Sequence, residues 1–249
     1  AVAEMSASLA HEIKNPLASI RSAAELLAKV PGADDDTRTL TKLVQRESDR
    51  LSRLLSEFLD FARTGVTTVR RVDIIDIVRH ASALVAAHPD KPENVTIREL
   101  FPSTPVVVVG DDDLLHRAIF NLLLNAVQAS PPGGEVRVEA AELARHQLPR
   151  QAERFVRGGI MLQVSDQGKG IDESVKDRLF EPFVTTKTGG SGLGLSIVHR
   201  AVEAHLLEHG PAGAIDELAL DDVREPGPRL GVGPYRPHRA TFLVEVKDD

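Results

Sequence analysis

Between residues 40 and 61 the apolar positions step Leu40, Val44, Glu47, Leu51, Leu54, Phe58 and Phe61, alternating gaps of four and three with one polar interruption. That spacing is a heptad seam and commits the segment to a helix. Upstream, Met5, Leu9, Ile13, Ile20 and Leu27 trace one face of an earlier helix. Only Gly32 interrupts the chain with glycine before Gly65. Pro31 and Gly32 stop the first helix, and the acidic run Asp34, Asp35, Asp36 leads into the second N-terminus. The reading is a helical hairpin. A hairpin alone cannot bury both of its faces, so either two copies pair as a four-helix bundle or the hairpin packs on the rest of its own chain.

From Val66 onward the texture changes to short strands and helices. VTIREL (95–100) and VVVV (106–109) read as strands, and Asp111 to Ala129 reads as a helix. VRVEAAEL (136–143) and IMLQVSD (160–166) are strands again, followed by a helix from Leu193 to His209. RATFLVEV (239–246) reads as a last strand. Segregated strands and helices imply an α+β fold in which a two-layer α/β sandwich follows the hairpin. Residues 144–159 read as a long polar hairpin connection. Residues 210–237 hold ten Gly or Pro out of twenty-eight and read as an irregular loop.

Composition narrows the function classes. With 249 residues, 42% hydrophobic and 27% charged, the chain has the balance of an ordinary globular protein of one large or two modest domains. A net charge of −7 argues against a nucleic-acid surface, which needs clustered basic residues. Without cysteine there is neither a disulfide framework nor a thiolate zinc site, which suits a reducing, cytoplasmic setting. No apolar run approaches the ~18 residues of a membrane span. The chain begins with Ala1 and not Met, which leaves room for a sensor or membrane segment upstream.

Several short stretches carry chemistry. DQGKGI (166–171) closes a strand with an aspartate and supplies Gly168 and Gly170, and GGSGLGLS (189–196) is a glycine-rich turn running into a helix. Such turns either expose backbone N–H groups to phosphate at a helix N-terminus or are merely tight turns. Neither matches the P-loop or the dinucleotide fingerprint. In NLLLNAVQA (121–129), Asn121 and Asn125 lie four apart on one helix face. They are either surface polar residues or oxygen ligands to Mg²⁺, an ion that takes few protein ligands plus substrate phosphates. AHEIKNPLAS (10–19) places His11 and Glu12 one turn before Asn15 and Pro16. The proline removes an N–H, and its ring meets the carbonyl of Glu12, so a kink beside His11 is expected.

Taken in order, these stretches resemble the cytoplasmic core of sensor histidine kinases of two-component systems. AHEIKNPL is similar to the family's H box, NLLLNA to its N box, DQGKG to G1, LFEPF (179–183) to F and GSGLGL to G2. The likeness covers residues 1 to about 205, and TTKTGGSGLGLSI resembles the short lid of the nitrogen-regulation and pilus-regulation subgroup.

The resemblance implies residues 1–66 as the dimerisation and phosphoacceptor domain and 67–249 as the catalytic ATP-binding domain. It implies His11 as the nucleophile toward the γ-phosphorus of ATP, Glu12 as its base, and Asn15 as the residue that positions water in a phosphatase reaction. It assigns Asn125 to Mg²⁺, Asn121 to the phosphate region, and Asp166 to the adenine amino group. Gly168 and Gly170 would let backbone approach the nucleotide, with Gly192 and Gly194 doing the same at the phosphates. Lys187 either contacts phosphate from the lid or is a solvated lysine. Thr241 matches a hydroxyl that assists adenine binding, and Phe180 and Phe183 would anchor the lid in the core. The implied partners are a second copy of the chain and the receiver domain of a response regulator.

Three alternatives stand beside this. A chaperone- or mismatch-repair-type ATPase would carry a glutamate where Asn121 stands. A zinc peptidase is suggested by HLLEH (205–209), whose His205 and His209 share a helix face. A degenerate kinase that binds a partner, or acts only as a phosphatase, is suggested by residues 210–237, where the strand that the resemblance implies before the last one is hard to find.

Overall fold

In the computed structural model the chain divides into two compact units, Ala1–Arg63 and Thr64–Asp249. The structure describes residues 2–32, 34–62, 68–144, 158–172, 174–187, 190–209, 215–222 and 238–245. Side chains are not described for 2–12, 60, 143–144, 158–159, 203, 205–209, 215–222 and 238–245.

The first unit is the expected hairpin, helix α1 (Val2–Ala28) and helix α2 (Asp35–Ala62). Gly32 makes the turn at φ +86°, a conformation open to glycine at little cost. Asp34 accepts from the Thr37 amide at 2.8 Å and so satisfies one of the orphan donors opening α2; the Thr37 hydroxyl first, and then this amide bond, hold its carboxyl below the usual range. Helix α1 continues through Pro16.

Among the described residues, those buried in the hairpin are Leu17, Ala24, Thr41 and Ser48, two pairs each seven residues apart, while Leu54 and Phe61 of the apolar heptad are half-buried. Small side chains let two helices approach closely along such a line. Ile13, Ile20 and Leu27 of α1 and Leu40, Val44, Leu51 and Phe58 of α2 therefore remain exposed in the single chain.

The second unit opens with strand β1 (Arg70–Asp73), which pairs antiparallel with strand β3 (Val107–Gly110). Between them come helix α3 (Ile74–Ala86) and strand β2 (Thr96–Leu100). Asp73 caps α3 by accepting from the Ile75 amide, and the same oxygen accepts from the Val106 amide, pinning helix and strand together. Helix α4 (Asp112–Ala129), strand β4 (Glu135–Ala144), strand β5 (Gly158–Asp166) and helix α5 (Gly194–His209) follow. Strands β6 (Ile215–Asp222) and β7 (His238–Glu245) complete the fold.

The main sheet has the order β2-β4-β5-β7-β6, with β2 parallel to β4 and every other pair antiparallel. Val136, Val138 and Ala140 of β4 and Ile160, Leu162 and Val164 of β5 alternate onto one buried face. Against that face lie Ile74, Val78 and Val85 of α3, Leu115, Ile119 and Leu123 of α4, and Val198 and Ala201 of α5, in one continuous core. This is the expected two-layer sandwich.

The expectation for residues 210–237 needs correction: 215–222 form strand β6, paired with β7 from Ile215↔Val244 to Asp222↔His238. A register shift between Ile215 and Leu218 breaks the alternation that would otherwise mark a strand. The rest of 210–237, and residues 145–157 of the β4–β5 connection, lie outside the described residues. No described helix is long and apolar enough to cross a membrane.

Candidate nucleotide site

Helix α4 carries the site because one of its faces is used up by the core. Leu114, Leu115, Ala118, Ile119, Leu122, Leu123, Ala126 and Val127 are buried. Asn121, Asn125 and Gln128, spaced by four and three, share the opposite face and are half-buried. The helix is held at its start by buried Asp111. One carboxylate oxygen accepts from the Asp113 and Leu114 amides and the other from the Thr68 amide at 3.0 Å. At its end, the Ser130 hydroxyl donates to the Ala126 carbonyl at 2.9 Å.

Asn121 donates its amide nitrogen to the Arg117 carbonyl one turn back, at 2.8 Å. Its carbonyl oxygen is thereby turned toward the start of α5. A Cβ placed on Gly194, the first residue of α5, would lie 3.1 Å from that oxygen and 3.4 Å from the Asn125 amide nitrogen. The glycine thus brings the N-terminus of α5, where a helix's first N–H groups point outward, against both carboxamides. Behind it Leu193 is buried, its amide donates to the Ser191 hydroxyl, and the Ser196 hydroxyl donates to the Leu193 carbonyl.

The DQG turn meets the C-terminal end of α4. Asp166 accepts from the Gly168 amide at 2.7 Å, which fixes the carboxylate at the end of β5. A Cβ on Gly168 would fall 2.8 Å from the Ala129 Cβ and 2.9 Å from its carbonyl oxygen, so only glycine lets the turn close on the helix. Gln167 accepts from the Glu135 amide at 3.0 Å, tying the turn to β4. Gly170 follows at φ +84°.

The segment between these glycine motifs folds back over the helix. Phe180 stacks on His199 of α5 with ring centroids 5.2 Å apart. Phe183 does not anchor in the core as expected: its side chain is 64% exposed and its φ is +68°, unusual for a bulky residue. What fixes it is backbone, since its amide donates to the Gly192 carbonyl at 3.0 Å. Gly192 sits at φ +69°, where a Cβ would be 2.5 Å from the Phe183 carbonyl carbon. Beyond this clasp, the Lys187 ammonium donates to Asn125 Oδ1 and to Gln128 Oε1, each at 2.9 Å. Desolvation pushes the Lys187 pKa below its ordinary value, and the nearby Asp166 charge opposes that shift.

The structure therefore gathers Asn121, Asn125, Gly168, Lys187 and Gly194 along one face of α4, with Asp166 bonded to Gly168 and Gly192 two residues before Gly194. Gln128 joins them although the sequence reading did not single it out; its spacing of three from Asn125 was the available signal. Thr241 lies in β7, opposite Gln163 of β5, with its side chain outside the described residues. Asn15 is exposed on α1, in the first unit, and the side chains of His11 and Glu12 lie outside the described residues, as do those of His205 and His209. Among the described residues, no group of three or more His, Asp or Glu is placed to hold a metal. Asn121 Oδ1 beside the α5 N-terminus and Asn125 Oδ1 beside Lys187 are oxygens of the kind a magnesium–phosphate group uses, because Mg²⁺ takes hard oxygen ligands and leaves most positions to water and phosphate. They do not fit zinc.

Two family models match the chain. His Kinase A (phospho-acceptor) domain covers residues 1–65, and Histidine kinase-, DNA gyrase B-, and HSP90-like ATPase covers residues 110–218. Among curated proteins, the sensor histidine kinase ZraS of Escherichia coli strain K12 is 33% identical over 205 residues, which is 82% of this chain and 41% of that protein. The sensory histidine kinase/phosphatase NtrB of Salmonella typhimurium is 35% identical over 199 residues, 79% of this chain and 54% of that protein. The chain spans about half the length of these relatives. Among solved structures, full-length ShkA in complex with AMPPNP superposes with TM-score 0.62 at 24% identity, over 98% of this chain and 46% of that one. The Acinetobacter baumannii histidine kinase AdeS gives TM-score 0.53 at 16% identity, over 93% and 96%. At these identities the structural likeness speaks for the fold.

Proposed function

The chain belongs to the sensor histidine kinases of two-component systems, and from that premise we propose that it is a cytoplasmic catalytic core that phosphorylates itself on His11 from ATP and hands the phosphoryl group to an aspartate of a response-regulator receiver domain. Residues 1–66 are the dimerisation and phosphoacceptor domain and 67–249 the ATP-binding domain. A ring nitrogen of His11 attacks the γ-phosphorus, the bond to the ADP oxygen breaks, and Glu12 accepts the proton from the other ring nitrogen. Asn15, one helical turn from His11, positions water when the phosphoryl group is removed from a partner.

In the second unit Asp166, oriented by the Gly168 amide, receives the adenine amino group, with Gly170 and Thr241 beside it. Asn121 and the amides after Gly192 and Gly194 hold the phosphates. Lys187 adds positive charge from the lid. Asn125 is the ligand for Mg²⁺, which when bound neutralises charge on the transferring phosphoryl group.

The observation that carries this reading is the convergence on α4. Gly168 closes on its end, Gly194 closes on Asn121 and Asn125, and Lys187 bonds Asn125. A simple surface helix needs none of these close approaches. The exposed apolar stripe of the hairpin supports a homodimer, since a second copy covering it completes a four-helix bundle. Asn121 in place of a glutamate disfavours direct hydrolysis of ATP, and strand β6 removes the ground for reading the sheet as degenerate.

The test is incubation with γ-labelled ATP and Mg²⁺, comparing the parent chain with His11→Gln. The expected result is acid-labile, alkali-stable label on the parent and none on the variant. Label persisting in the variant, or a parent that binds ATP and takes up none, would overturn the proposal.

A further inference from the structure

One oxygen in the site has two claimants. Asn125 Oδ1, assigned above to the divalent cation, already accepts from the Lys187 ammonium at 2.9 Å. The same ammonium reaches Gln128 Oε1, also at 2.9 Å. Asn125 and Gln128 stand three apart on α4, so their carboxamide oxygens form a two-point seat for one positive charge. A divalent cation on Asn125 Oδ1 would stand within a few ångströms of that ammonium, and like charges so close repel each other. Both cannot hold the oxygen together.

We propose that Lys187 and the divalent cation are alternative occupants of Asn125 Oδ1, and that Gln128 is the positioning residue that favours the lysine. The lid lysine then acts as a built-in competitor, and loading of the metal requires it to leave its seat. Gln128 touches neither nucleotide nor metal in this scheme and acts only through Lys187. The inference rests on the reading of Asn125 as the cation ligand.

The experiment titrates Mg²⁺ into the full chain with a fluorescent N-methylanthraniloyl ATP, for the parent and for Gln128→Leu, with a parallel series in EDTA. Losing one hydrogen bond to a charged group predicts that the Mg²⁺ needed for half-maximal binding falls roughly tenfold in the variant. Nucleotide affinity in EDTA is expected to change by less than the Mg²⁺ requirement does, because no cation is then competing and only the charge of the freed Lys187 is gained. An unchanged Mg²⁺ requirement, or an equal shift in EDTA, overturns the proposal. A second arm without nucleotide measures trypsin cleavage after Lys187 by mass spectrometry. It is expected to be faster in Gln128→Leu, and equal rates would count against the seat. A parent chain that binds the nucleotide at no Mg²⁺ concentration would instead overturn the ATP-binding reading itself.

Discussion

Replacing Leu51 by Ala is expected to weaken dimerisation without unfolding the hairpin. Leu51 lies on the α2 stripe that the hairpin's own contact leaves uncovered, and in the single chain it is 49% exposed. Fully burying a leucine side chain is worth about 1.5–3 kcal/mol. Covering the exposed half therefore contributes roughly 1 kcal/mol per protomer, and a symmetric dimer counts it twice, about 2 kcal/mol. At 1.4 kcal/mol per decade this is about a thirtyfold rise in the dimer Kd. Alanine is the best helix former, so far-ultraviolet circular dichroism should keep its helical signal. Sedimentation equilibrium over a dilution series reads the Kd directly. Ser48→Ala is the internal control, since Ser48 is already buried within the hairpin and has little surface left for a partner. A Leu51→Ala chain that dimerises as tightly as the parent, or a Ser48→Ala chain that loses as much, would refute the assignment of the stripe.

Two further outcomes test the ATP-binding unit. Gly192→Ala should loosen the clasp between the Phe183 backbone and the G2 turn, because the new Cβ meets backbone at 2.5 Å and the residue stays at φ +69°. The strained φ alone costs about 1–3 kcal/mol. A tenfold or greater loss of nucleotide affinity with a near-native circular dichroism spectrum is expected, and unchanged affinity would show the clasp to be dispensable. His116 gives a pH signature. Burial is the main cause holding its pKa below 6.5, helped by His80 of α3 and opposed by Asp113 and Asp112, with Arg117 lowering it further. The folded state therefore binds this proton less readily than the unfolded chain. Its stability is fully present above pH 6.5 and declines as pH falls below it. Thermal melts between pH 7.5 and 5 should show a shallower decline in His116→Gln, and parallel curves would refute the assignment.

The parts of the fold most legible in the sequence were those with a periodic or glycine-marked signature. The heptad along α2 fixed a helix, and the Asn121 and Asn125 spacing placed two carboxamides on one face. The glycines at 168, 192 and 194 stood where backbone has to approach backbone or side chain. What the heptad did not reveal was which face closes the hairpin. Thr41 and Ser48 carry no hydrophobic signal, yet their small size is what allows α1 to pack there. Helix α3 went unassigned because Ile74, Ile75, Ile77 and Val78 are β-branched and crowd its first turn, the pattern of a strand. Its cap, Asp73, and the recurrence Ile74, Val78, Ala81, Val85 were the signals available. Strand β6 was hidden by its bulge. Phe183 looked like an anchor because it is aromatic, whereas its place is set by the amide it donates to Gly192.

Two attachments to α4, one at its middle and one at its C-terminal end, give the site a fixed length. From Asn121, facing the phosphate-side glycines, to Ala129, clasped by Gly168, the helix rises eight residues, about 12 Å. A hydrogen-bonded helix barely stretches, so α4 serves as a ruler. A ligand has to reach from the Asp166 end to the Asn121 end to engage both sets of groups. On the proposed nucleotide reading, a free nucleoside or inorganic phosphate satisfies only one of them, so the site would select by span as well as by chemistry.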